Sequence, residues 1–178
     1  MIQSVIDTIN ANISTITKKF GIVEQCHKED KIYPAEYTGG GDYKEINFDI
    51  FESLLYHRLG IQTSTEEESR TACSTDLIIT QPCFMVVYLD KSVFNSLKLS
   101  SNLRKEITFS NDVTLANELK VDYVSVGVDS INFDPYQVWA NEFTGVDYRL
   151  QSTHLLLGIN YTIEIRGEKN CIIEYECE

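Results

Sequence analysis

Three histidines, five cysteines and a run of three glutamates are the side chains here with types that could do chemistry. A histidine beside a thiol can serve as base to a nucleophile, and a close set of such groups can hold a transition metal. His27, His57 and His154 stand far apart, and none lies at helical spacing from another ligand type. Cys26 and His27 adjoin, but neighbours on a strand point to opposite faces, which defeats both a dyad and a chelate. Cys26, Cys73, Cys83, Cys171 and Cys177 contain no CxxC pair, so we read them as free thiols in a reducing compartment rather than as a disulfide framework.

Glu66-Glu67-Glu68 can bind a cation, form a hydrolase pair or lie solvated in a loop. Solvation is the ordinary fate of a charge run, and a contact with another protein comes ahead of catalysis. Asp129, Asp134 and Glu142 surround the segment holding Trp139, without EF-hand spacing. "TGGGD" at 38–42 has neither the lysine nor the strand-to-helix setting of a phosphate loop. GxSxG and HExxH do not occur. We therefore expect no enzyme, no catalytic set, no cofactor and no metal.

The aromatics give a better hint. Tyr33, Tyr37, Tyr43, Tyr136, Trp139, Phe143 and Tyr148 fall in or beside predicted loops. Tyr and Trp supply contact area with few rotors to freeze, which suits an interface; sealing the rim of a sheet is the equal alternative.

These residues must be carried by one domain, the natural reading of 178 residues with 43% hydrophobic and 24% charged side chains. The net charge of −12 repels a phosphate backbone, which excludes an electrostatic grip on nucleic acid but suits a wall past which DNA slides. "MIQSVIDTIN" carries Asp7 and no early Lys or Arg, so no secretory signal is expected, and "FMVVYL" at 84–89 is too short to span a bilayer. A soluble protein made in the cytoplasm is the expectation, with no membrane partner.

Ile2, Val5, Ile6, Ile9, Ile13, Ile16 and Phe20 recur at steps of three and four, predicting an amphipathic helix over 2–20, with Ser4 and Asp7 as a capping box and Gly21 past its end. "GIVEQCH" and "KIYPAEY" read as short strands, the second an edge or bulged strand because of Pro34. Residues 38–45 read as a glycine loop. "FDIFESLLYHRLG" fits either a helix or a strand, and we favour a strand over 53–60. Residues 62–76 read as an extended polar loop. A strand over 77–90 interrupted near Pro82, a helix from Ser92 to about Leu99, a strand over 121–128 and a helix over 135–145 follow. In "HLLLGINYTIEIRG", Leu155, Leu157, Ile159, Tyr161, Ile163 and Ile165 alternate with a mostly polar set, predicting a strand about 40 Å long. "RGEKNC" reads as a hairpin into a closing strand, "CIIEYECE". The sum is α+β: an N-terminal amphipathic helix packed on a mostly antiparallel sheet. Helix 2–20 alone does not cover so long a strand, which suggests a sheet that continues into a neighbour.

In that order of elements, "LLYHRLG", the long polar loop, "PCFMVVYLDK" and "LLLGINYTIEIRGEKNCII" resemble the tail terminator, tail-completion and neck ring proteins of tailed bacteriophages, especially ring proteins of phages infecting gut Bacteroides-type bacteria. The resemblance implies a tail-terminator-like fold and a structural virion protein, not an enzyme. It implies a homo-oligomeric ring, a hexamer or higher, that joins portal-side and tail proteins while DNA passes through its lumen. The acidic balance, the oversized strand and a 62–76 loop able to reach a neighbour agree with it. Glu66, Glu67, Glu68, Arg70, Tyr136, Trp139 and Phe143 are the expected inter-subunit contacts. The alternative is a small acidic α+β binding or inhibitor protein that docks a basic partner.

Overall fold

The longest uninterrupted pairing in the computed structural model joins two segments far apart in sequence. Strand β7 (Thr75–Asp90) and strand β10 (His154–Glu168) run antiparallel from the pair His154–Asp90 to the pair Glu168–Asp76 without a register shift. The structure describes residues 1–68, 75–91, 96–148, 150 and 153–169. β10 is flanked on its other side by β9 (Tyr123–Asn132), which pairs with β8 (Phe109–Ser110). On the far side, β7 is shared by two strands in succession. β5 (Ser53–Leu59) pairs with its 83–89 half and β6 (Thr63–Glu68) with its 75–80 half. β1 (Lys18–Ile22) adds to β5 in parallel, the one parallel pair among the described residues of a mixed seven-stranded sheet. β2 (Glu24–Lys28), β3 (Lys31–Gly39) and β4 (Asp42–Glu45) form a separate antiparallel sheet.

The α+β class holds, and the differences from the sequence reading have physical causes. Helix α1 spans Ile2–Asn12, not 2–20; Ile13 is already extended, and no side chain caps the N-terminus. Ile13, Ile16 and Phe20 are buried as expected, but by extended chain, since β-branched Ile13, Thr15, Ile16 and Thr17 disfavour a helix. β7 is continuous through Pro82. What changes there is its neighbour: the Pro82 carbonyl accepts the Gly60 N–H at 2.8 Å, where β5 hands over to β6. A residue without an N–H fits a seam between strands better than a ladder. Pro34 likewise lies in the middle strand of the small sheet, at the seam between the Ile32–Thr144 bridge and the end of β4, where Ala35 pairs with Glu45. The glycine stretch is the tip of a β3–β4 hairpin, with Gly39, Gly40 and Gly41 all at positive φ.

The expected 62–76 loop is largely strand, β6 and the start of β7, with 69–74 outside the described residues. Helix α2 (Ser96–Ile107) runs well past Leu99, because Leu103 and Ile107 continue its apolar stripe; a cap at Ser92 lies outside the described residues. Helix α3 (Val113–Leu119), a stretch to which the sequence reading assigns no element, is capped by Asp112 accepting from the Thr114 and Leu115 amides. Helix α4 (Pro135–Glu142) opens on Pro135 as expected, but ends before Gly145. The closing strand at 171–177 lies outside the described residues. Among the described residues, no helix is long and apolar enough to cross a membrane.

Two cores lie on opposite faces of the main sheet. α1, α2 and α3 cover the first, where Leu157, Ile159, Tyr161, Ile163 and Ile165 of β10 are all fully buried. Each such side chain contributes roughly 1.5–3 kcal/mol in transfer terms. α4 and the small sheet cover only part of the other face, around Tyr56, Tyr88, Trp139 and Leu156. Much of the pairing capacity expected of β10 is taken up within the chain, since β7 lines one border along its length and β9 the other over Gly158–Arg166.

Gly158 is set by close approach: a Cβ there would sit 2.7 Å from the Phe84 ring. Gly158→Ala should cost about 1–3 kcal/mol by forcing that ring aside, read from urea unfolding, and Phe84→Leu should reduce the penalty in a double-mutant cycle.

Candidate functional site

The titratable groups buried in this fold form two clusters on opposite faces of β5. His57, fully buried, faces the first core. Its Nδ1 lies 2.8 Å from the Tyr161 hydroxyl and its Nε2 2.9 Å from Asn10 Oδ1. The Asn10 amide nitrogen donates to the Phe20 carbonyl, so Oδ1 accepts from Nε2–H and Nδ1 accepts from the tyrosine. Burial pulls the His57 pKa down to about 3, and it pushes the Cys83 thiol beside Tyr161 up to about 11. A neutral imidazole, an un-ionised phenol and a protonated thiol, each screened from water, hold one another in place. They hold no nucleophile that a substrate can reach.

On the opposite face, Tyr56 and Arg58 point toward α4. The Glu142 carboxylate is 1% exposed; its Oε1 receives Arg58 at 2.7 Å and its Oε2 the Tyr56 hydroxyl at 2.9 Å. Burial raises the Glu142 pKa while Arg58 and Tyr56 oppose the rise. Arg58 also begins a row across the sheet. It lies opposite Phe84 on β7, which lies opposite Asn160 on β10, which lies opposite Ser130 on β9. Above that row, α4 carries Gln137 and Asn141, one helical turn apart on one side of the helix. Between helix and sheet is an open cleft of about 460 Å³.

The expected contact residues do not gather in one patch. Glu66 receives Lys169 at 2.6 Å, and Glu67 meets Arg166 at 3.4 Å, which also reaches Asp76 at 3.2 Å. These acids are balanced by their own chain at the outer border of the sheet, where β6 has no further strand among the described residues. Glu68 closes β6, and Arg70 lies outside the described residues. Trp139 and Phe143, read from the sequence as exposed, are core residues. Their rings stack at 3.9 Å, and the indole N–H donates to the Val146 carbonyl at 3.1 Å. Tyr136 stays 67% exposed, with its ring 4.5 Å from that of Tyr148. Asp129, Asp134 and Glu142 separate into three roles: acceptor for Thr162, cap of α4, and partner of Arg58.

Two features escaped the sequence reading. The polar cleft depends on register between distant strands and has no local signal. The β3–β4 hairpin had one, since "YTGGGDY" places two tyrosines symmetrically about three glycines. The rings meet at 5.2 Å with Tyr37 55% and Tyr43 42% exposed, and all of β4 faces solvent. Compared with protein-family models and with curated proteins, the sequence matches none of them.

Two outcomes follow from the buried groups. His57 is depressed below its unfolded value, so the native state binds fewer protons between about pH 3 and 6.5. Its stabilising share is complete above 6.5 and is lost on acidification, about 3 kcal/mol by about pH 4. Urea midpoints measured against pH should show this fall, and His57→Gln should flatten it. Arg58→Ala should cost about 3–5 kcal/mol at neutral pH by stranding a buried carboxylate. Because Glu142 is raised, that variant should regain stability relative to the parent as the pH is lowered through the Glu142 pKa.

Proposed function

We propose that this chain is a structural subunit of a homo-oligomeric ring in the neck or tail of a tailed bacteriophage, either joining head to tail or terminating the tail, around a channel through which DNA passes. The observation that carries this reading is the β3–β4 hairpin. Its strands pair with each other, and its two tyrosines spend their area on one another at the surface. A paired, aromatic-tipped arm with little cover from its own chain is suited to a neighbouring subunit.

Three features support the same reading. The outer border of β6 is open among the described residues, so the main sheet has an edge to offer. Arm and edge are different surfaces, and a head-to-tail contact between unlike surfaces closes into a ring when the rotation permits. The net charge of −12 keeps a phosphate backbone from adhering to a lumen wall. The resemblance in element order supplies the virion setting, with portal-side and tail proteins as neighbours, assembly in the host cytoplasm and no catalytic role.

Negative-stain microscopy of the purified protein, or of particles containing it, should show rings of six or more subunits. Replacing Tyr37 and Tyr43 by serine should leave the far-ultraviolet circular dichroism unchanged while shifting the population to monomers in light scattering. A parent protein that stays monomeric at high concentration and is missing from particles would overturn the reading. An assembly with a basic protein that dissolves steeply with added salt would favour the acidic binding protein instead.

A further inference from the structure

The cleft beneath α4 has a chemical character that differs from the rest of the surface. The protein is strongly acidic, yet the two charges at this cleft cancel: the Arg58 guanidinium is bound to the buried Glu142 carboxylate at 2.7 Å. What remains is a set of neutral carboxamides on opposing walls. Gln137 and Asn141 are exposed on the helix side, and Asn160 is exposed on the sheet side. Their hydrogen bonding is incompletely used. Gln137 accepts from Asn132 through Oε1, which leaves its NH2 group to donate; Asn160 donates to Ser130, which leaves its carbonyl oxygen to accept.

Between these walls the floor is apolar. Phe84 lies in the middle of the row, half-buried, its ring tip held over Gly158 and against Val138. Pro82, two residues before Phe84 and on the same face of β7, borders the same space and is exposed. The volume of about 460 Å³ falls within the range of small-molecule sites, but the lining is far more polar than usual for them. A ligand suited to this space is uncharged, carries donors and acceptors around its rim, and has an apolar face. An anion would meet a neutralised arginine inside a molecule of charge −12, and a cation a carboxylate already bound on both oxygens.

We propose that this cleft binds a pyranose sugar, with the C–H face of the ring against Phe84 and Pro82. The carboxamides of Gln137, Asn141 and Asn160 hydrogen-bond its hydroxyls. A carboxamide offers a donor and an acceptor side by side, the pattern that neighbouring hydroxyl groups complement. The buried ion pair serves as a rigid wall and positions the Arg58 edge without adding net charge. The site lies within one subunit, so this assignment stands independently of ring formation.

Side-chain amide signals report on the site directly. With 15N-labelled protein, titration by glucose, galactose, N-acetylglucosamine and its β-1,4-linked disaccharide should shift the NH2 resonances of Gln137, Asn141 and Asn160 at millimolar concentration. At least one of these sugars should saturate. Asn141→Ala and Gln137→Ala, both at exposed helix positions, should each weaken binding about tenfold with the remaining spectrum preserved. No saturable shift with any of these sugars at tens of millimolar would overturn the proposal. So would shifts at other residues, or an equal response to acetamide as a simple amide probe. Oligomer size in the same samples is read separately, so failure here and failure of the ring reading are distinguishable.

Discussion

The unbroken pairing of β7 with β10 is the constraint on which the other features depend. An antiparallel ladder fixes which side chains share a face, and a slip of one residue would exchange the faces along its whole length. Because Ile159 stands opposite Met85 and Asn160 opposite Phe84, one face of both strands is apolar except for the buried Gln81, while the other changes character part-way. The same register puts Tyr161 within reach of His57, and Arg58, Phe84 and Asn160 in one row. Neither cluster exists in a local stretch of chain. Both are products of alignment between residues about a hundred positions apart.

Much of the main sheet was legible because burial differs sharply between its faces. The alternation in 155–165 predicted β10, and the choice of strand over helix at 53–60 was right because Leu55 and Tyr56 are buried on opposite faces, as only an extended segment between two layers allows. The helix at the N-terminus was overextended for an instructive reason. Ile13 and Ile16 keep the three-residue rhythm and are buried in the same core as Ile9, so the pattern was true while the conformation was not. Periodicity reports which residues face the core; propensity and caps report where a helix stops. α3 could have been found from Asp112 ahead of Leu115, Ala116 and Leu119. Pro34 was read as the mark of an edge or bulged strand and Pro82 as an interruption, whereas both sit at seams where a neighbouring strand ends or begins. That distinction requires knowledge of the neighbours.

The candidate contact residues divide in the same way. Trp139 and Phe143 were assigned to the surface because their segment is short and flanked by loop residues, but a short helix lying on a sheet has an inward side. There the two rings complete a core with Phe48 and Tyr88. Glu66 and Glu67 do lie on the surface, yet Lys169 and Arg166 come from the end of β10 to meet them. Exposed pairs of this kind contribute little to stability. Their position on an edge strand gives them another role, since charge along an open edge discourages unselective pairing.

The second face of the sheet shows why polar chemistry collects where it does. α4 is only eight residues long and covers β10 around Leu156 and Gly158. Beyond it the same face of β10 continues as Asn160, Thr162, Glu164 and Arg166. The row at Asn160 is the boundary between covered and wet sheet, so an aromatic ring that belongs to the core and carboxamides that belong to the surface meet there. A fully buried row would require every amide to find a partner, and a fully exposed one would have no use for Phe84. At this boundary the fold tolerates incomplete hydrogen bonding at no cost, because water supplies what the protein does not. Such a place is open to specific recognition without remodelling of either core: a ligand there replaces solvent alone.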